Sequence, residues 1–263
     1  MKVIDKFKRN NHKALSLFVT AGYPTIESTA PLIAALADAG ADVIELGIPF
    51  SDPIADGPVI QRSSEVALRN GVTLKKTLEI AAQIRAESSV PLVLMGYANP
   101  IYAFGISEFM KASSQIGIDG TIIADLPLEE SDEYRIIAKQ NNIATIFLAA
   151  PTTPDKRLGE LDRASTGFLY CVSVAGVTGA RENLARQAEE FLKRARRCVK
   201  NNPLLVGFGI STPEDAQRVS RFSDGVIIGS ALINILSRGD GSNAITDSVR
   251  FVRSVREALD SVS

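Results

Sequence analysis

Eight short runs rich in apolar and β-branched residues, spread from one end of the chain to the other, constrain this sequence more than any other feature. They are Leu15–Thr20, Asp42–Leu46, Leu92–Gly96, Gly120–Ala124, Ala144–Leu148, Phe168–Ser173, Leu204–Phe208 and Gly225–Ile228. Most are nearly continuous in their hydrophobicity, which is how parallel strands covered on both faces read. Amphipathic helical patterns lie between them. Thr153-Pro154-Asp155 and Thr212-Pro213-Glu214-Asp215 each set a hydroxyl ahead of a proline, the signature of a capped helix start. Eight strand–helix repeats in 263 residues predict an α/β chain closed into a single (β/α)8 (TIM) barrel, with a short N-terminal helix ahead of strand one. A doubly wound open sheet would want a dinucleotide loop after that strand, and Thr20-Ala21-Gly22-Tyr23-Pro24 is no GxGxxG. No linker or low-complexity stretch divides the chain, so residues 1–263 read as one domain.

Composition removes several classes of function. The formal net charge is -1, so no basic field exists to draw nucleic acid or an anionic membrane. The longest basic run, Lys193 to Lys200, follows Glu189 and Glu190 in a helical pattern and reads as a solvated helix face. Cys171 and Cys198 lack metal or redox spacing, and the single histidine, His12, lies in a polar N-terminal stretch. That argues against a His/Cys zinc site and a histidine-based triad. The start lacks the apolar run of a signal peptide and no stretch reaches membrane-spanning length, so the expectation is a cytoplasmic protein with reduced thiols.

Barrels carry their chemistry on the loops that follow the strands. Two such connections are long: Gly47 to about Thr73 after strand two, and Val174 to about Leu184 after strand six. Strand seven runs into Gly207-Phe208-Gly209-Ile210-Ser211, and strand eight into Gly229-Ser230-Ala231-Leu232. Glycines there let backbone approach a ligand, and free amides at a helix start favour an anion. Neither loop holds a lysine or arginine, so a phosphate would rest on oriented amides and the Ser230 hydroxyl.

Strand two, Asp42-Val43-Ile44-Glu45-Leu46, interrupts its apolar pattern with a carboxylate. Alternation puts Glu45 on the face of Val43, near the C-terminal end of the strand. No neighbour in sequence offers it a cation, and such a group holds its proton tightly and suits acid/base work. Asp52 and Asp56 stand in the proline-rich loop that follows. Spacing alone does not separate either one from a turn former. Asp125, at the end of strand four, likewise reads as a supporting acid or a turn residue.

These stretches, in this order, resemble the α subunits of tryptophan synthase over essentially the whole chain. The resemblance is carried by Thr20–Pro24, by the long run from Asp42 to Pro58, by Met95–Pro100, Ala124–Pro127, Ala175–Gly179 and Gly207–Ser211. It implies a retro-aldol cleavage of indole-3-glycerol phosphate to indole and glyceraldehyde 3-phosphate, without a metal, a Schiff base or any cofactor in this chain. By resemblance Glu45 moves the proton and Asp56 accepts a hydrogen bond from the indole N–H. Phe18, Tyr97, Ile122, Leu148 and Tyr170 would form the indole pocket. Gly179, Phe208, Gly209, Gly229 and Ser230 would hold the phosphate, and Thr178 would sit on a loop that closes over the site. The resemblance also implies a β-subunit partner that carries pyridoxal phosphate, an α2β2 complex, and transfer of indole to that partner. The Pro53 loop and the segment from Asn99 to Tyr102 would face it. One departure stands out: Val174 occupies a position where some relatives carry a basic residue.

Three rival functions frame the reading. A ring-closing indole-glycerol-phosphate synthase relies on a catalytic lysine at a strand end, and this chain offers none there. A stand-alone lyase would carry the same motifs and release indole without a partner. A subunit that only binds and activates the β chain would not need Glu45, Asp56 and Tyr170 together.

Overall fold

A computed structural model describes residues 12–172, 181–207, 209–238 and 242–262. Eight parallel strands close on themselves in sequence order: β1 Ala14–Thr20, β2 Val43–Gly47, β3 Leu92–Gly96, β4 Gly120–Ile123, β5 Ala144–Ala149, β6 Leu169–Val172, β7 Leu204–Gly207 and β8 Gly225–Ile228. Closure is made by β1, which pairs Ser16 with Val43 of β2 on one side and Ala14 with Gly225 of β8 on the other. The barrel is therefore the one the strand pattern predicts, with ends moved by a residue or two. The predicted N-terminal helix falls outside the described residues.

Alternation decides what the barrel holds. One inward-facing cluster takes a residue from nearly every strand: Ala14, Val43, Val93, Ile122, Ile146, Leu205 and Ile227, with Phe168 just ahead of β6. Their neighbours in sequence, such as Leu15, Ile44, Leu94 and Val226, point outward into a second core shared with the helices. Each such leucine or isoleucine, wholly removed from water, contributes roughly 1.5–3 kcal/mol. Two residues further along β1 and β2 the inner layer changes character, because Ser16 and Glu45 stand there.

Helices α1 Ile26–Asp38, α2 Pro58–Arg69, α3 Leu74–Glu87, α4 Ala98–Phe104, α5 Ile106–Ile116, α6 Asp132–Gln140, α7 Asp155–Ala164, α8 Arg181–Cys198, α9 Pro213–Ser220, α10 Ser230–Arg238 and α11 Ser242–Asp260 intervene between strands or follow them. Thr212 behaves as its sequence predicts: its hydroxyl accepts from the Asp215 N–H at 3.2 Å, with Pro213 in the first turn of α9. Thr153 does not. Pro154 itself takes the cap position of α7, and the Thr153 hydroxyl accepts from the Ala150 N–H at 2.9 Å, closing the turn after β5. The long connection after β2 is no bare loop, because α2 occupies its second half. The basic run on α8 is largely solvated, with one exception. Arg194 folds back onto the carbonyls of Pro151 and Thr153 and onto Asp155, tying α8 to the β5 turn. Among the described residues no helix is long and apolar enough to cross a membrane.

Candidate active site

The C-terminal ends of the strands open into a cavity of about 240 Å³. Phe18, Met95 and Tyr170 line it from β1, β3 and β6, Asp56 and Ile60 from the segment after β2, and Gly209, Gly229, Ser230 and Asn234 from the last two turns of the barrel.

Glu45 lies within the barrel on the inward face of β2, wholly buried. Its Oε1 accepts a 2.7 Å hydrogen bond from the Ser16 hydroxyl, and its Oε2 has no partner among the described residues. Burial pushes this carboxyl up to about 7, the Ser16 hydrogen bond working against the rise. A carboxyl poised there can exist in both forms near neutral pH, which is what a group that both takes and gives a proton needs.

Asp56 is half-buried beside Tyr97. The Tyr97 hydroxyl donates to the Asp56 carboxylate and accepts from the Ala55 N–H at 3.1 Å. Burial raises the Asp56 proton affinity and the tyrosine hydrogen bond lowers it again. Tyr97 is itself packed on Phe50, ring centroids 5.4 Å apart, so the loop after β2 is pinned to the end of β3. The Tyr170 phenol is held well above its ordinary value by burial first, then by the charges of Glu45 and Asp56. One hydroxyl thus senses both carboxylates. Of the acids weighed in that loop, Asp52 is exposed and bonded to Ser51, while Asp56 faces the cavity.

The opposite end is neutral and rich in amides. Gly209 has φ +43°, a conformation that a side chain disfavours. Gly229 starts the first turn of α10, its carbonyl accepting from the Ile233 N–H at 3.0 Å. The amides of the residues between them therefore have no partner within the helix. Among the described residues, no lysine, arginine or histidine lines the cavity.

Of the residues predicted for the site, Phe18, Asp56, Tyr170, Gly209, Gly229 and Ser230 line this cavity, and Glu45, buried in the barrel, is not among the described lining residues. Tyr97 stands behind Asp56. Ile122 belongs to the inner apolar cluster, and Leu148 packs against that cluster and borders a separate depression with Phe147, Thr153 and Arg157. Thr178, Gly179, Phe208 and Val174 lie outside the described residues. Asp125 is a connector: its carboxylate accepts from the Ala98 N–H at 2.7 Å, joining the end of β4 to the start of α4.

Sequence reasoning missed Ile60, Met95 and Asn234. Met95 was within reach, since it shares the inward face of β3 with Val93. Asn234 lies one turn beyond Ser230 on α10, so helical spacing points it to the same side.

Comparison with known proteins agrees with this geometry. The family described as tryptophan synthase alpha chain matches residues 4–260. The tryptophan synthase alpha chain of Petrotoga mobilis is 45% identical over 257 residues, covering 97% of this chain and 98% of its own. The crystal structure of tryptophan synthase subunit alpha from Legionella pneumophila has a TM-score of 0.89 and 39% identity, covering 99% of this chain and 97% of its own. A Saccharomyces cerevisiae protein named tryptophan synthase is 47% identical over 229 residues, which make up 87% of this chain and 32% of that longer one. The chain belongs to the tryptophan synthase alpha chain family and is a lyase that carries out the α reaction of tryptophan biosynthesis.

Proposed function

We propose that this cavity cleaves indole-3-glycerol phosphate through two carboxyls with divided roles. Cleavage needs a proton on indole C3 and the loss of one from the glycerol hydroxyl next to it. The C–C bond then breaks, its electron pair returns to the ring, and the hydroxyl carbon leaves as the aldehyde of glyceraldehyde 3-phosphate. Glu45 takes the hydroxyl proton and supplies C3, so the proton count balances on one group. Asp56 accepts the indole N–H and stabilises the positive charge that C3 protonation puts on the ring. Phe18, Tyr97, Ile122, Leu148 and Tyr170 shape the apolar surround. The phosphate rests on the amides about Gly179, Phe208, Gly209, Gly229 and Ser230, with Thr178 on the covering loop. Binding energy gathered there orients the bond that breaks.

The observation that carries this reading is Glu45, a carboxyl sealed in the barrel with one unpartnered oxygen and a proton affinity near neutrality. On this reading residues 1–263 act as one cytoplasmic barrel domain without a cofactor of its own. The partner is a tryptophan synthase β subunit holding pyridoxal phosphate, in an α2β2 heterotetramer that receives the indole.

Indole release from indole-3-glycerol phosphate tests the proposal, measured with the purified chain alone and with a β subunit. Slow cleavage alone that rises sharply on adding the partner is expected. Glu45→Gln should lose at least about a hundredfold in rate while keeping fold and partner binding. Near-full activity of that variant would overturn the acid/base assignment. Fast cleavage indifferent to the partner would mean a stand-alone lyase.

A further inference from the structure

The inner layer of the barrel is apolar up to one point, where β1 contributes a serine. Ser16 stands two residues beyond Ala14 on the inward face, beside Val43 of β2, and it is wholly buried. A hydroxyl in such surroundings is costly unless bonded. Its bond runs diagonally across the register, to Oε1 of Glu45, the partner of Phe18, at 2.7 Å. Oε2 is left bare.

We infer that Ser16 is the positioning residue of Glu45, holding Oε1 so that the catalytic proton is taken up and released on Oε2. This rests on the acid/base reading of Glu45 given above. The geometry supplies the reason. An unbonded carboxylate turns about its last torsion and protonates on either oxygen. A hydrogen bond to one oxygen removes that freedom and marks that oxygen as occupied. The other described groups that face Glu45 do not do this. Val93 adjoins it on β3 and is apolar. The Tyr170 phenol on β6 senses the charge of Glu45 and is a donor too, but it makes no hydrogen bond to either carboxyl oxygen. No lysine, arginine or histidine among the described residues pairs with it, so Ser16 is the protein group that favours its ionised form.

The test follows kcat and KM from about pH 5 to about pH 10 for the wild type, Ser16→Ala and Ser16→Cys, together with the infrared carboxyl band of the substrate-free protein that disappears in Glu45→Gln. Ser16→Ala should move both the kinetic and the infrared midpoint upward by about one pH unit. At about pH 7 its kcat should fall several-fold and recover in alkali, with KM changed less than about twofold, because Ser16 does not line the cavity. Ser16→Cys, a weaker donor of similar size, should fall between the two. Unshifted midpoints in Ser16→Ala, with Glu45→Gln inactive, would overturn the inference while leaving the role of Glu45 intact. An active Glu45→Gln would bring down both, and a persisting infrared shift would show that Ser16 holds a carboxyl that catalysis does not use.

Discussion

Burial raises the proton affinity of Glu45 from the ordinary 4.5 to about 7, so over that interval the folded chain holds a proton that the unfolded chain has released. The folded state binds more protons, and its stability from this group therefore falls as pH rises. The full contribution is present below about pH 4.5, and the loss amounts to roughly 3 kcal/mol once pH exceeds about 7. Glu45→Gln should thus match the wild type in urea unfolding near about pH 4 and exceed it by up to about 3 kcal/mol in mild alkali. Stability curves that stay parallel across that range would mean the folded carboxyl is not sealed from water. At this scale Glu45 was legible in the sequence because it breaks an apolar strand. Ser16 was not, since a serine in a strand is silent until the register of β1 against β2 is known. Asp56 could not be told from Asp52 by spacing. What separates them is Tyr97, just past the end of β3, whose hydroxyl donates to one of them.

Two sequence elements with the same signature, Thr-Pro followed by an acid, ended in different structures. Thr212 caps α9, and Thr212→Ala should cost about 1 kcal/mol, with Thr212→Ser retaining most of it. A denaturant midpoint unmoved by the alanine would mean that the 3.2 Å bond to the Asp215 N–H is ornamental. Thr153 turns instead to the Ala150 N–H, because the chain must reverse directly after β5 and that amide needs a partner. The local pattern offers both uses, and in the turn after β5 the Ala150 N–H takes the Thr153 hydroxyl, whereas Thr212 gives its own to its helix. Strands were read to within a residue or two because burial on both faces makes their runs continuous. The helix inside the β2 connection was less legible, since Pro58 and Gly57 read equally well as loop residues and helix start.

Closure of the barrel concentrates at the seam of β8 and β1. A Cβ on Gly225 would lie 2.5 Å from the Ala14 carbonyl oxygen and 2.6 Å from its Cβ, both fixed parts of the opposing strand. Gly225→Ala should therefore cost about 3 kcal/mol or more, or prevent closure. Gly57→Ala, with nothing within 4 Å of the added carbon, serves as the control and should be nearly neutral. Equal stability of the two variants would mean that the seam yields more easily than packed strands do. Topology was legible from the count of strands, but this contact was not, because Ala14 and Gly225 belong to opposite ends of the chain.

The same pairing sets a schedule for synthesis. β1 emerges early, yet the edge it offers to β8 stays uncovered until roughly 200 further residues have been translated, about 10 to 40 s at cellular rates. For that interval Leu15, Leu17 and Val19 form an apolar strand with open amides and carbonyls, the template on which other chains add. The nascent protein thus carries an open edge at its beginning for as long as its last strand is still on the ribosome.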